Sequence, residues 1–313
     1  MQTIPVLDLQ TFHANPAQRD AFVQQLGQSL EAIGFFAVVN HGVETHLIQR
    51  AYQVAQTFFE LPNEIKQRYE KPELHGQRGF TSFGREHAKD YPMPDLKEFW
   101  HIGRNLSTDV QRSLNYPANL AIAEVPEFHP VMMQLYAQLE ACAAKLLQAC
   151  ALFLGEPENA IADLIQNGDT ILRIIHYPPV PPDAHPASLR SAPHEDINLI
   201  TLLCEATDDG LELQQRDGTW LPIRAVSGQI IVDSGDMLQH LTNGILKSTT
   251  HRVVNPLGDK TRRFSMPFFV HPRKEVDLTP LPSCVARKGA PLFPAITAGD
   301  YLMQRLREIG LAN

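Results

Sequence analysis

The chain has 313 residues and a formal net charge of -8, from 27 Lys and Arg against 35 Asp and Glu. That acidic balance offers no basic field to a polyanion, so duplex nucleic acid is not an expected partner. Apolar residues make up 43% and charged residues 20%, the composition of a globular chain long enough to bury a large core.

The opening MQTIPVLDLQ has neither a basic start nor an apolar signal core. No stretch is expected to reach membrane-spanning length, so a cytoplasmic protein is expected, with no membrane partner. Ile4 to Leu9 reads as a short strand. Asn15-Pro16-Ala17-Gln18 then supplies an N-cap, a Pro at the first helical position and a Gln at the third. Phe22, Leu26, Leu30 and Ile33 follow at helical spacing until Gly34 stops them. Phe35 to Val39 is a continuous apolar strand, and Leu47, Ala51, Val54 and Phe58 mark a second amphipathic helix. Residues 63–105 are polar and interrupted by Pro and Gly, which predicts a long surface loop with solvated charges. A loop of that length is often a lid or a binding edge.

Phe128 to Leu154 predicts a long helix, with Met132, Leu135, Leu139, Cys142, Leu146 and Phe153 on one stripe packed against a sheet. From Thr170 the period becomes strand-like. Strands are predicted at Ile171–Tyr177, Asn198–Glu205, Leu211–Gln215, Trp220–Ile223, Gln229–Val232, Met237–Leu241, Ser248–Val254 and Phe264–Val270. Asp208-Asp209-Gly210 and Asp217-Gly218 are the sharpest turn marks. Such a series of short strands argues a jelly roll, which can enclose a small-molecule cavity. Asn255-Pro256-Leu257-Gly258-Asp259 reads as a turn, and Ala298–Gly310 as a closing helix. Cys142, Cys150, Cys204 and Cys284 are far apart, form no zinc or redox pattern, and read as buried thiols of a reducing compartment.

His194 and Asp196 stand two residues apart ahead of an apolar run. In an extended segment they share a face, with Glu195 turned away. A His and a carboxylate converging this way are two parts of a facial triad for non-haem Fe(II); a loop His bonded to its neighbouring carboxylate is the plainer alternative. A further His lies at His251, in a β-branched run, and His240 is a rival on a nearby segment. Arg263 and Ser265 share a face opposite Phe264, Met266 and Phe268. An Arg on an inward face is costly to bury without an anion, and its planar fork suits a carboxylate.

The order His-x-Asp, distant His, Arg-x-Ser resembles the isopenicillin N synthase-like branch of the Fe(II)/2-oxoglutarate-dependent dioxygenases. Ile4-Pro5-Val6-Leu7-Asp8-Leu9, Gly34 to Val43, Leu172 to Pro179, Gly235 to Gln239 and Thr242-Asn243-Gly244 are similar to further signatures of that family, so the likeness spans nearly the whole chain. The resemblance implies a mainly β fold with flanking helices around a double-stranded β-helix (jelly-roll) core. It divides one compact unit into residues 1–125, an N-terminal α/β region bordering the substrate cavity; 126–168, a long helical segment on the core; 169–272, the jelly-roll core; and 273–313, a C-terminal extension and helix. It implies Fe(II) on His194, Asp196 and His251, since Thr-His-Arg-Val matches the family pattern and His240 does not. It further implies 2-oxoglutarate held by Arg263, Ser265 and Tyr177, with O2 as oxidant, succinate and CO2 as co-products, and hydroxylation or desaturation of a small-molecule substrate. Arg190, Arg78, Phe80, Arg85 and Phe99 are candidate residues for the rim of the substrate cavity, with a structural or solvated role as the plainer alternative for each. His176 is expected to be a hydrogen-bonded barrel residue. The family's Asn before the Tyr-Pro-Pro run is Ile175 here, which keeps open an iron oxidase that needs no 2-oxoglutarate. A non-catalytic metal-binding barrel is the third reading.

Overall fold

Two β-sheets face each other in the computed structural model, which describes residues 3–308 apart from 90, 225 and 257–260. The chain begins β1 (Val6–Asp8), α1 (Pro16–Ala32), β2 (Phe35–Val39), α2 (Thr45–Phe59), α3 (Asn63–Gln67), β3 (Gly79–Thr81), β4 (Glu98–Gly103), α4 (Thr108–Ser113) and α5 (Phe128–Leu154). It continues β5 (Ile171–Tyr177), β6 (Ser191–His194), β7 (Ile200–Leu203), β8 (Leu211–Gln214), β9 (Trp220–Pro222), β10 (Ile230–Ser234), α6 (Asp236–Leu241), β11 (His251–Val253), β12 (Arg263–Ser265), β13 (Pro267–Val270), α7 (Pro282–Lys288) and α8 (Ala298–Glu308). The nine-stranded sheet runs β1-β2-β10-β7-β13-β5-β4-β3, with β12 also on β5, and the four-stranded sheet runs β6-β11-β8-β9. N-terminal strands thus extend the same sheet that carries β5, β7, β10 and β13. This is the jelly roll, flanked by helices.

Local signals explain most boundaries. The Asn15 side chain accepts from the Gln18 amide at 3.0 Å and Pro16 opens α1, the expected cap. Gly34 ends it at φ +72, where a Cβ would stand 2.5 Å from the Lys247 carbonyl oxygen. Helix α5 packs against α1, α2, β7 and β13. Contrary to expectation, it is long and apolar enough to cross a bilayer by length and composition, but half of that stretch is buried within the protein. Phe264, Met266, Phe268 and Val270 join the main apolar core, with Phe264 against Phe59 of α2 and Phe268 edge-on to Tyr136 of α5. All four cysteines are buried free thiols.

Three expectations are corrected. Met237–Leu241 is a helix, because its buried Met237, Leu238 and Leu241 are spaced as one helical face. The run 264–270 is two strands: β12 pairs with Ile175–Tyr177, while β13 pairs with β7 and with Ile171–Leu172. Pro267 has no N–H to continue the first ladder. Residues 63–105 are not all surface loop, for β4 lies against β5 along its full length and all six of its residues are buried. Part of the turn predicted at 255–259, and the end of the helix predicted to Gly310, lie outside the described residues.

The strand β4 escapes hydrophobic patterning because its charge is neutralised inside. Lys66 Nζ sits 2.8 Å from both Glu98 carboxylate oxygens, and His176 Nδ1 lies 2.8 Å from one of them. Neither member of the Lys66–Glu98 pair exposes more than 9% of its side chain. Removing one partner leaves the other ion stranded. Glu98→Ala is therefore expected to lower the unfolding free energy in urea by ~3–5 kcal/mol, with most of the loss recovered when Lys66→Met is added. Arg85→Ala, which breaks the half-exposed Arg85–Glu70 pair, is expected to cost less than ~1 kcal/mol.

Candidate metal centre and the cavities beside it

His194 ends β6 and His251 opens β11, and the two are cross-strand partners on the four-stranded sheet. Their rings lie 4.5 Å apart between centroids. Asp196 is not on the strand as expected but in the link from β6 to β7, where its carbonyl accepts from the Asp236 amide at 2.7 Å. Gly235 allows that approach, since a Cβ there would stand 2.8 Å from the same oxygen. The Asp196 Oδ1 is 3.8 Å from His194 Nε2 and 3.7 Å from His251 Nε2. One ligand atom from each of the three lies within 4.8 Å of the others.

The protonation pattern suits a cation. His194 Nδ1 donates to the Ala192 carbonyl at 2.7 Å and His251 Nδ1 to the Thr249 carbonyl at 3.1 Å. A carbonyl only accepts, so each Nδ1 carries a proton, and Nε2 is the nitrogen left to face a metal. Burial, with the facing His251, pulls the His194 pKa down to about 3, so that ring is neutral. Thr201 Oγ1 donates to Asp196 Oδ2, leaving Oδ1 towards the imidazoles. Asp233, on β10 across from Thr201, is pushed well above the usual carboxylate range by burial and by Asp196. Two imidazoles and one carboxylate on one side of a point are the donor set of a facial Fe(II) centre.

The rivals lie elsewhere. His240 is inside α6, with Nε2 2.6 Å from the Pro294 carbonyl. His176 stacks on Phe264 and hydrogen-bonds Glu98 and Arg262, as a barrel residue should. Glu195 accepts from Thr250 instead of joining the triad.

One cavity runs from the triad past Ile175 and Tyr177 to Arg263. Arg263 is 2% exposed, its Nε donates to the Asp208 carbonyl at 3.0 Å, and its Nη1 is buried with no partner. Among the described residues no carboxylate pairs with it. The Tyr177 ring lies 5.0 Å from this guanidinium and 5.9 Å from that of Arg190. Ser265 is buried on the same face, opposite Ile175, but does not itself line the cavity. Arg190 is 1% exposed, and among the described residues only Asp208, at 3.7 Å, offers it a carboxylate. Burial and the adjoining Arg263 pull Arg190 below its usual range.

A second cavity, of about 200 Å³, opens on the other side of His194 and Asp196. The expected rim residues do not line it. Arg190 belongs to the Arg263 end. Arg78 is buried over the Tyr116 ring, Phe80 sits in the aromatic core beside Phe58, and Arg85 is on the surface with Glu70. Phe99 is buried beneath Arg173, 4.2 Å from ring centroid to guanidinium. The cavity is lined instead by Glu86, Asp95, Lys97, His101, Arg173 and His271, with apolar walls from β5, β13 and α8.

These polar residues form a linked floor. Arg173 grips Glu86 through two bonds of 3.0 Å and donates to His101 Nε2 at 2.6 Å. Lys97 lies 2.7 Å from both Glu86 and Asp95. Burial alone would raise Glu86, but Arg173 and Lys97 outweigh it and hold that carboxyl well below its usual range. Burial raises Asp95 in spite of Lys97, yet Asp95 accepts from Lys97, from the Ala192 amide at 2.9 Å and from Ser191, as a carboxylate does. His101 is kept neutral by burial and by the Arg173 cation. Sequence reasoning missed Arg173, although the argument that found Arg263 could have found it, because it shares one face of β5 with Ile171, Ile175 and Tyr177. Glu86, Asp95, Lys97 and His101 carry no local signal, since they lie in the stretch read as solvated loop.

Comparison with known proteins agrees with this geometry. The family described as non-haem dioxygenase in morphine synthesis N-terminal matches residues 4–124, and the 2OG-Fe(II) oxygenase superfamily matches residues 168–272. A 2-oxoglutarate-Fe(II) type oxidoreductase of Emericella nidulans is 32% identical, over 95% of this chain and 88% of its own. A 2OG-Fe(II) oxygenase family protein from Caulobacter crescentus is 37% identical with a TM-score of 0.87, covering 98% of this chain and 99% of its own. A full-length Neurospora crassa protein, solved in complex with alpha-KG, is 25% identical with a TM-score of 0.85, covering 97% and 95%. The chain belongs to the 2OG-Fe(II) oxygenase superfamily and is an Fe(II)- and 2-oxoglutarate-dependent oxygenase.

Proposed function

We propose that His194, Asp196 and His251 hold the iron and that Arg263, with Tyr177 beside it and the Ser265 hydroxyl on the same strand face as a further donor, holds the far carboxylate of 2-oxoglutarate. The oxidised substrate is a small metabolite bound in the cavity beyond His194 and Asp196. The observation that carries this reading is the buried, unpartnered Nη1 of Arg263 on the cavity that also reaches the triad. A guanidinium in that position calls for an anion, and its fork matches a carboxylate.

With O2 as the oxidant, bound iron and 2-oxoglutarate would supply the chemistry that oxidises an unactivated C–H bond, one oxygen atom going to succinate, with CO2 released. The chain supplies placement. Backbone carbonyls fix both imidazoles, and Thr201 fixes the Asp196 carboxylate. Arg263 sets how far the co-substrate enters, while the Phe35, Leu203 and Leu211 side chains keep water from that end. Ile175 offers only apolar surface where the family often carries an Asn, so the donors near the iron end of this cavity include Lys97, Ser191 and Arg173, with both cations paired to carboxylates. A compact polar substrate is supported by two relatives: the Neurospora crassa protein was also solved with thymine, and a Petromyces alliaceus protein 30% identical to this chain is a proline hydroxylase. Four buried free thiols support a reducing, cytoplasmic setting.

Metal analysis separates the candidate third ligands. His251→Ala is expected to lose most of its Fe(II), whereas His240→Ala retains it; equal retention by both would remove His251 from the centre. Anaerobic addition of 2-oxoglutarate to the Fe(II) protein is expected to produce a weak visible charge-transfer band. Arg263→Lys, which keeps the charge and loses the fork, should raise the 2-oxoglutarate concentration for half-maximal band by about tenfold or more. Arg262→Lys is the control, because Arg262 faces away to His176 and Glu60. Equal shifts from the two variants would overturn the assignment of Arg263.

A further inference from the structure

The substrate-side cavity differs from the Arg263 end in its charge. Its cations are already matched: Arg173 by Glu86, Lys97 by Glu86 and Asp95, and Arg305 by Asp236 and Glu308. No unpaired cation remains among the described residues that form its floor and walls, so a carboxylate on the substrate would lose its water without gaining a counter-ion. The cavity is also small. At about 200 Å³ it falls below the roughly 300–1,000 Å³ of ordinary ligand pockets.

One group on its wall has an unpartnered polar atom, and a second, though paired, has N–H groups to spare. His271 is 7% exposed and its Nδ1 has no partner. Its backbone, by contrast, is pinned, for the amide donates to Thr170 Oγ1 at 3.2 Å and the carbonyl accepts from the same hydroxyl at 3.3 Å. Burial lowers its pKa to about 4, so the ring is neutral and offers one donor and one acceptor. Arg173 uses three of its five N–H groups on His101 and Glu86, and the Phe99 and Phe269 rings, 4.2 and 5.2 Å from its guanidinium carbon, flank it. The remaining N–H groups are donors held at a fixed angle.

We propose that His271 and Arg173 orient the substrate, and that it is a small uncharged molecule presenting a carbonyl oxygen beside an N–H, the edge of a lactam or cyclic imide. Arg173 donates to the carbonyl oxygen, and the neutral imidazole accepts from the N–H. Phe269, Ile171 and the α8 residues Leu302 and Leu306 cover the apolar remainder. This inference rests on the proposed placement of iron and 2-oxoglutarate, which keeps carboxylate recognition at Arg263.

The test is anaerobic calorimetric titration of the Fe(II)- and 2-oxoglutarate-loaded protein with matched probes. These are 2-pyrrolidinone against 5-oxoproline, and 2-pyridone against 6-hydroxynicotinate, each pair differing by one carboxylate. The neutral member of a pair is expected to bind at least about tenfold more tightly. His271→Phe, which keeps the ring and removes both polar atoms, should weaken it by roughly tenfold, the loss of a buried hydrogen bond. His271→Gln, which keeps a donor and an acceptor, should restore most of it. Carboxylate probes that bind as well as the neutral ones, neutral probes that do not bind, or unchanged binding in His271→Phe would overturn the proposal. The 2-oxoglutarate band of the wild-type protein, recorded first, separates the failures. Its presence confines a negative result to the substrate inference, and its absence overturns that inference together with the placement beneath it.

Discussion

A guanidinium buried without a counter-ion, that of Arg263, is the constraint around which the barrel interior is arranged. Burying such a cation is costly, and breaking a comparable pair elsewhere in a protein loses several kcal/mol, about 3–5. Three other buried cations of this interior have carboxylate partners: Lys66 with Glu98, Arg173 with Glu86, Lys97 with Glu86 and Asp95. At β12, with Arg190 close by, positive charge is left in excess. The stability forgone there is returned when an anion binds.

The two sheets divide the remaining tasks. The smaller sheet carries the His194 and His251 imidazoles as cross-strand partners, and the link to β7 brings Asp196 beneath them. The inward rows of the larger sheet form the opposite wall. Along β5 that row reads Ile171, Arg173, Ile175 and Tyr177, and β4 with the residue before it adds Lys97, Phe99 and His101 alongside. One wall thus passes from paired charge, through an apolar stretch, to unpaired charge. The centre lies between a compartment with no net demand for charge and one that requires an anion, a polarity suited to seating two different small molecules on either side of one metal.

How much of this was legible in the sequence follows from how each feature is encoded. Period-2 alternation placed Arg263 and Ser265 together and set Phe264, Met266 and Phe268 on the other face, because strand parity is local. The Asn15 cap and the α5 stripe were likewise local. The triad was found although Asp196 proved to lie off the strand, since the turn after β6 keeps its carboxylate near His194. Residues 63–105 were misread because hydrophobic patterning cannot see a buried strand whose charges are cancelled by partners remote in sequence; Glu98 is matched by Lys66 and His176, and Glu86 by Arg173. Met237–Leu241 failed for the opposite reason, as a short apolar run fits strand and helix alike until its burial spacing is known.

An anaerobic crystal structure of the protein with Fe(II) and 2-oxoglutarate tests the central claim most directly. The result in keeping with it is a single metal between Nε2 of His194, Nε2 of His251 and the Asp196 carboxylate, with the far carboxylate of 2-oxoglutarate on Nη1 of Arg263. A metal bound elsewhere, or a 2-oxoglutarate whose far carboxylate lies on Arg173 instead of Arg263, would contradict it.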